Sequence, residues 1–166
     1  MFEIVLYEPE IPANTGSIGR TCVGTATPLH LVGKLGFSLE DKYLKRAGLD
    51  YWKNVNLHIH ANWQEFLKTS LKNSQRRLVL FSKKASHIYT DFTFLPGDFL
   101  VFGSETKGLS DDLLHSSWPC LRIPIPGPIR SLNLSVAVGV VLFEAFRQNH
   151  FETSHFASLK NSAISR

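Results

Sequence analysis

Three polar clusters in this chain have residue types and spacing suited to chemistry, and each comes straight after a short apolar run. The first is the stretch from Glu8 through Pro9, Pro12, Asn14, Thr15 and Gly16 to Arg20. Its prolines stiffen the approach by fixing φ and removing an N–H. Asn14 or Thr15 can cap a helix there, and Arg20 would then lie between one and two turns inside it. Taken alone, a capped helix with a solvated arginine has the same pattern. The second cluster follows Phe102 and runs Gly103, Ser104, Glu105, Thr106, Lys107, Gly108, Leu109. Its bracketing glycines let the backbone approach a ligand closely, and the charges of Glu105 and Lys107 favour a ligand loop over a plain turn. Leu109 stands where a phosphate-loop lysine would be needed, and no GxGxxG follows any strand candidate. Neither a Walker nor a Rossmann phosphate site is therefore expected. The third cluster runs from Arg122 and Ile123, through the prolines at 124, 126 and 128, to Arg130, Ser131, Leu132, Asn133 and Ser135. The prolines impose an extended, rigid path. Ser131, Asn133 and Ser135 then sit near a helix start, where side chains and free N–H groups can hold an anion or polar ligand. One helix needs one cap, and this cluster offers more.

The elements that must position these clusters follow from apolar periodicity. Nearly continuous apolar runs predict strands at Phe2–Tyr7, Leu29–Val32, Asn56–Ile59, Leu78–Phe81, Phe99–Phe102 and Cys120–Ile123, as expected for a sheet covered on both faces. Helices are predicted at Thr15–Thr25, at Leu39–Ala47 with Gly48 as its stop, and at Trp63–Lys72 behind Asn62. Ser110 ahead of Asp111 and Asp112 is a further helix start. Leu134–Gln148 is the clearest helix, since Leu134, Ala137, Val138, Val141, Leu142, Ala145 and Phe146 fall on one broad face. Strands alternating with helices indicate an α/β domain, a mainly parallel sheet with helices on both faces. In such sheets ligands bind outside the carboxyl ends of the strands, where all three clusters fall.

With 166 residues, 43% of them apolar, the chain suits one globular domain over about residues 1–150, with a polar tail at 151–166. The formal charge of +4 permits a polyanionic partner without requiring one. Cys22 and Cys120 form no CxxC pair and read as small core residues. His58 and His60 could share a strand face, but no further ligands stand nearby, so no metal site is expected and solvent-facing imidazoles are. No apolar run reaches the length of about 20 residues that crosses a bilayer, and no signal-peptide pattern opens the chain. A cytoplasmic protein is expected.

Together the clusters read NTGxxxR, FGxExxGL and IPxxxxxxSxNxSxA, in that order. The set resembles the three motifs of the SPOUT class of RNA methyltransferases. The opening LYEPEIPxNTG and the stretch KRAGLDY (Lys45–Tyr51) resemble more specifically the TrmL (YibK-like) family, small 2′-O-methyltransferases of the tRNA wobble nucleotide. The similarity runs from residue 1 to about Gln148. It implies an α/β fold whose C-terminal part is threaded as a deep trefoil knot, an exception to the rule of unknotted chains. It implies S-adenosylmethionine as methyl donor, the anticodon stem–loop of tRNA as substrate, and a homodimer with active sites completed across the interface. By matching positions, Phe81, Gly103, Ile123, Ser131 and Leu132 would hold the cofactor, and Asn14, Arg20, Glu105, Ser131 and Asn133 would be catalytic. Arg20 would then act either as a deprotonated base or as a cation beside a developing alkoxide. Two other readings compete: a ribosomal-RNA 2′-O-methyltransferase of the same class, and a catalytically silent RNA-binding protein that keeps the fold.

Overall fold

Apolar runs of four or five residues, too short for stable helices, pair side by side to satisfy their backbone groups. The computed structural model describes residues 1–39, 51–71 and 76–151. In order these form β1 (Glu3–Tyr7), α1 (Pro12–Gly24), β2 (Leu29–Val32), β3 (Leu57–His60), α2 (Trp63–Ser70), β4 (Leu78–Phe81) and β5 (His87–Ile88). Then come β6 (Phe99–Phe102), α3 (Asp111–Leu114), β7 (Cys120–Arg122) and α4 (Leu134–Gln148), with 3₁₀ turns at Trp52–Asn54 and Tyr89–Asp91. The strands form one sheet in the order β3-β2-β1-β6-β4-β7-β5, and every pairing is parallel. β2, β4 and β6 are buried along their whole length, which is why their sequences show no polar alternation.

Helices cover both faces. On one, Ile18 and Cys22 of α1 and Val138, Val141, Leu142, Ala145 and Phe146 of α4 pack against Ile4, Leu6, Leu29 and Leu100. Phe146 is fully buried and meets Phe2 edge-on at 5.5 Å. Burial of such a ring contributes about 1.5–3 kcal/mol. Burial also pushes the Cys22 thiol up to about 12, so it serves packing and not chemistry. On the other face, Trp63 and Phe66 of α2 and Leu113 of α3 cover Val5, Leu78, Leu80 and Val101. Among the described residues, no helix is long and apolar enough to cross a membrane.

The expected strands at 29–32, 78–81 and 99–102 keep their bounds, and those at 2–7, 56–59 and 120–123 move by one residue at an end or in register. β5, a two-residue strand, has too little length to leave a periodic signal. The predicted helix at Thr15–Thr25 begins earlier, at Pro12, because proline is favoured in the first turn where its missing N–H costs nothing. Ile11 is its N-cap residue, without a side-chain bond, so neither Asn14 nor Thr15 caps it. Asn62 does cap α2, accepting from Glu65 N at 2.9 Å, and α2 ends at Ser70. Ser110 precedes α3 but makes no capping bond. The predicted helix at Leu39–Ala47 beyond its first residue, its stop at Gly48, and the tail beyond Phe151 lie outside the described residues.

His60 departs from expectation. It is 7% exposed, not solvent-facing, and His30 is 4% exposed. Parallel register sets His30 opposite His58, and both His58 and His60 stack on the His30 ring, at 4.6 and 5.3 Å. A polar chain satisfies His30 and His60: Arg76 to Glu3 (2.6 Å), Glu3 to His30 Nε2 (2.6 Å), His30 Nδ1 to His60 Nε2 (3.0 Å), and His60 Nδ1 to the Thr69 hydroxyl (3.3 Å). Buried polar groups persist only when paired in this way. Among the described residues, no group of three or more His, Cys, Asp or Glu is placed to hold a metal ion.

Burial, and after it the neighbouring His30, holds the His60 and His58 imidazoles below their ordinary value of 6.5. Folding therefore expels protons that the unfolded chain would bind. The stability these rings contribute is complete above about pH 6.5 and declines as pH falls toward their depressed folded values. Burial raises Glu3, but hydrogen bonds from His30 and Arg76 outweigh it and leave the carboxyl below 4.5, so Glu3 adds its own loss only in stronger acid. The melting temperature should thus fall between pH 7 and 5, before most carboxylates titrate. Thermal melts in that range test it, and a flat profile would contradict the burial of His60.

Candidate active site

β4, β6 and β7 are neighbours in the sheet, and their carboxyl ends open together beside the loop that follows β1. A cavity of about 430 Å³ lies there, within the range of ligand pockets, about 300–1,000 Å³. Phe81 ends β4, Gly103 follows β6, and Ile123 follows β7, so three strands aim their exits into one space. The extended proline loop then returns Ser131, Leu132 and Asn133 to the same cavity at the start of α4. All five positions expected to hold a cofactor line it. So do Asn14, Glu105, Ser131 and Asn133 from the catalytic set. Arg20 does not.

A reciprocal clasp shapes the mouth. Glu105 accepts from Glu10 N at 2.8 Å, Ile11 N at 3.3 Å and Asn14 Nδ2 at 2.8 Å. Its carboxylate thus sits at the N-terminus of α1, which has no acidic residue of its own in the first turn. The positive end of the helix favours a negative charge there. Glu10 in return accepts from Thr106 N at 3.2 Å and from its hydroxyl at 2.7 and 2.8 Å. Asn14 also accepts from Asn133 Nδ2 at 2.8 Å. Residues from all three sequence clusters are thereby joined in one hydrogen-bonded chain.

Asn133 is the N-cap of α4. Its Oδ1 accepts from Ser135 N (2.8 Å), Val136 N (3.4 Å) and the Ser135 hydroxyl (2.7 Å). Those N–H groups are consumed within the chain, so the helix start offers an incoming anion the exposed Ser131 and Arg130 rather than these amides.

Gly103 is a requirement of the loop. A Cβ at this position would overlap the Gly108 carbonyl carbon and the Leu109 nitrogen, backbone atoms that cannot move independently. The Ser104–Gly108 bridge, closed by Ser104 N to Gly108 O (3.2 Å) and Gly108 N to Ser104 O (2.9 Å), folds the loop back on itself at that point.

Arg20 lies farther along α1. It is six positions beyond Asn14, which on an ideal helix is about 9 Å of rise and a rotation to a different face. Its side chain is exposed, and its guanidinium carbon lies 5.5 Å from the centre of the Tyr51 ring. Lys83, Lys84 and Lys107 border the cavity as well. The sequence clusters do not include the pair at 83 and 84, whose one signal is its place just beyond the end of a buried strand. Lys84 pairs with Asp111 at 3.1 Å. Lys45 and Arg46 lie outside the described residues.

Comparison with known proteins gives a consistent result. The SpoU rRNA Methylase family profile matches residues 1–143. A tRNA (cytidine(34)-2'-O)-methyltransferase of Polaromonas sp. is 48% identical over 158 residues, covering 93% of this chain and 95% of its own. A solved structure described as "Structural insights into the 2-OH methylation of C/U34 on tRNA" superposes with a TM-score of 0.86 at 45% identity, over 92% of this chain and 98% of that one. An AdoMet-bound rRNA methyltransferase from Sinorhizobium meliloti superposes with a TM-score of 0.79 at 26% identity, over 88% of this chain and 56% of its own.

Proposed function

This chain belongs to the SpoU rRNA Methylase family, and from that premise we propose that it transfers a methyl group from S-adenosylmethionine to the ribose 2′-hydroxyl of nucleotide 34, cytidine or uridine, of tRNA. The carrying observation is the cavity beyond β4, β6 and β7, where the three clusters converge and the Glu105–Asn14–Asn133 chain joins them. The residues present suit the cofactor. Phe81, Ile123 and Leu132 offer apolar walls for a nucleoside, and Gly103 lets the Gly108–Leu109 backbone fold back closely beside them to shape the cavity. The cofactor supplies an electrophilic methyl carbon on a sulfonium that leaves as a neutral thioether.

The chain's own residues do the rest. The apolar walls exclude water, and Ser131 offers a hydroxyl at the cavity edge. Asn14 and Glu105 have their polar atoms committed to each other, to Asn133 and to the lead-in of α1, so their work is to hold the mouth in shape. As the ribose hydroxyl gives up its proton to solvent water at the cavity mouth, Arg20 stabilises the negative charge left on the oxygen. A guanidinium is a delocalised cation with no acceptor atom and holds its proton tightly, so the electrostatic role is the one its chemistry supports.

Arg20 lies outside the cavity of its own chain, so the enzyme works as a homodimer in which each pocket receives Arg20 from the partner. Supporting this, α4 exposes Val136, Val140 and Phe143 on one stripe, an apolar surface of the kind that marks an interface. The substrate is the anticodon stem–loop, because protein reading of RNA favours unpaired bases that can be splayed out. Lys83, Lys84 and Lys107 border its approach. The enzyme acts in the cytoplasm, with its tRNA substrate. The domain spans 1–150, and the knot implied by the motifs is part of this reading. It is consistent with the hydrogen bonds that Gln148 and Asn149 make to Phe92 and Phe94 in the β5–β6 connection.

The test is methyl incorporation from labelled S-adenosylmethionine into total tRNA and, separately, ribosomal RNA, followed by nucleoside mapping. Label as a 2′-O-methyl group at nucleotide 34 is expected. Label confined to ribosomal RNA, or to a base-paired stem, would overturn the substrate, and no label in either would favour the silent RNA-binding reading.

A further inference from the structure

Arg20 is a long side chain on an exposed helix face, and such a residue samples many rotamers. Freezing it costs side-chain entropy, so a cation meant for a transition state works best when it is already held in place. The structure shows what holds it. The Tyr51 ring lies 5.5 Å from the Arg20 guanidinium carbon, within the reach of a cation–π contact, about 6 Å. The Tyr51 hydroxyl donates to the Gly16 carbonyl at 3.2 Å. Gly16 and Arg20 are one turn apart on the same face of α1, so the tyrosine spans that face from one to the other.

The turn that carries Tyr51 is itself anchored. Trp52 begins the 3₁₀ turn at Trp52–Asn54, and its ring packs on Gly19. A Cβ there would stand 2.6 Å from Trp52 Cζ3, so only a glycine lets the indole come this close. The chain thus brings Gly16, Gly19 and Arg20 of the first motif against Tyr51 and Trp52, the end of the KRAGLDY stretch and its successor. An aromatic face holds a guanidinium through the ring quadrupole and offers it no acceptor atom, unlike a carboxylate. Burial raises the Tyr51 phenol above its usual value, with Arg20 opposing that rise, so the ring stays neutral and its hydroxyl stays a donor.

We propose that Tyr51 is a positioning residue for the methyl-transfer step, its ring clamped between the Gly16 carbonyl and the Arg20 guanidinium so that Arg20 is presented ready to the reacting ribose oxygen. This rests on the role given to Arg20 above. Tyr51 touches neither substrate nor cofactor and acts through the arginine alone.

The experiment is single-turnover methylation of unmodified total tRNA with labelled S-adenosylmethionine. It compares Tyr51→Phe, Tyr51→Leu, Arg20→Ala and the double variant Arg20→Ala/Tyr51→Leu. Calorimetric cofactor affinity and a thermal melt are run on each to confirm folding. Tyr51→Leu should lower the chemical rate by about tenfold, the upper part of what a cation–π contact supplies, with tRNA KM and cofactor affinity unchanged. Tyr51→Phe keeps the ring and should restore most of that loss. In the Arg20→Ala background, Tyr51→Leu should cost nothing more, because the two act as a unit. A normal rate for Tyr51→Leu beside a slow Arg20→Ala would overturn this proposal alone. So would an undiminished effect of Tyr51→Leu in the double variant, or a Phe variant as slow as Leu. A normal rate for Arg20→Ala would remove the underlying reading of Arg20 and this proposal with it.

Discussion

Arg20→Ala should slow methyl transfer by about 10²-fold or more while leaving cofactor affinity nearly intact. The size is that of losing one well-placed donor in a transition state, about 2.7–4 kcal/mol. The selectivity follows from position. The cavity is lined by residues from the β1 loop, the β4 exit, the 103–109 loop and the start of α4, and Arg20 is not among them. Its removal takes away nothing that the ground-state cofactor touches in that chain. An interaction made only in the transition state lowers kcat and kcat/KM together. Arg20→Lys then separates two ways of supplying charge. Lysine keeps the cation but loses the planar fork and stacks less well on an aromatic ring. Substantial rescue would favour a simple field effect, and failure would favour directed N–H donors. The measurement is single-turnover methylation beside calorimetric cofactor binding. Unchanged turnover would remove Arg20 from the chemistry, and a parallel collapse of cofactor binding would move it to the binding side.

Much of this was readable in the chain because parallel strands buried on both faces are spelled as unbroken apolar runs. Leu78–Phe81 and Phe99–Phe102 leave no second interpretation of length or face. The convergence of the three clusters on one cavity was legible for a related reason. Gly103, Glu105, Ser131 and Asn133 are types a core does not need, placed where a strand ends or a helix begins. What escaped is what depends on partners distant in sequence. The capping of α1 could not be assigned, because the negative charge at its start is Glu105, which reaches Ile11 across a sequence separation of 94 residues. Asn14 was a plausible cap on local grounds, and the fold spends it instead on Glu105 and Asn133. His60 reads as a surface residue beside His58, since only the pairing of β2 with β3 brings His30, which stands opposite His58, within hydrogen-bond reach of it. The strand at His87–Ile88 exists because β7 is there to pair with it, not through any propensity of its own.

Gly103→Ala is the second large effect expected, and its target is the pocket itself. The added methyl would overlap backbone at Gly108 and Leu109, so the 103–109 loop must open or shift. Overpacking of this kind costs about 1–3 kcal/mol, occasionally more. If that cost falls on the cofactor-ready loop, affinity drops roughly 5- to 150-fold at 1.4 kcal/mol per factor of ten. Calorimetry on a variant shown to be folded by its melt measures this directly, and unchanged affinity would mean that the loop is not part of the cofactor site. The same variant also tests where Arg20 works. A subunit carrying Gly103→Ala has a damaged pocket and an intact arginine, while a subunit carrying Arg20→Ala has the reverse. Co-expressed with different tags and purified as the mixed pair, they should recover about half of the wild-type rate if each pocket takes its arginine from the partner, because one of the two sites is then whole. If Arg20 served its own chain's pocket, each site in the mixed pair would carry one defect and no rate would return. Recovery in the mixed pair, with neither homodimer active, would also require the dimer itself, since separate monomers have no means of sharing a guanidinium.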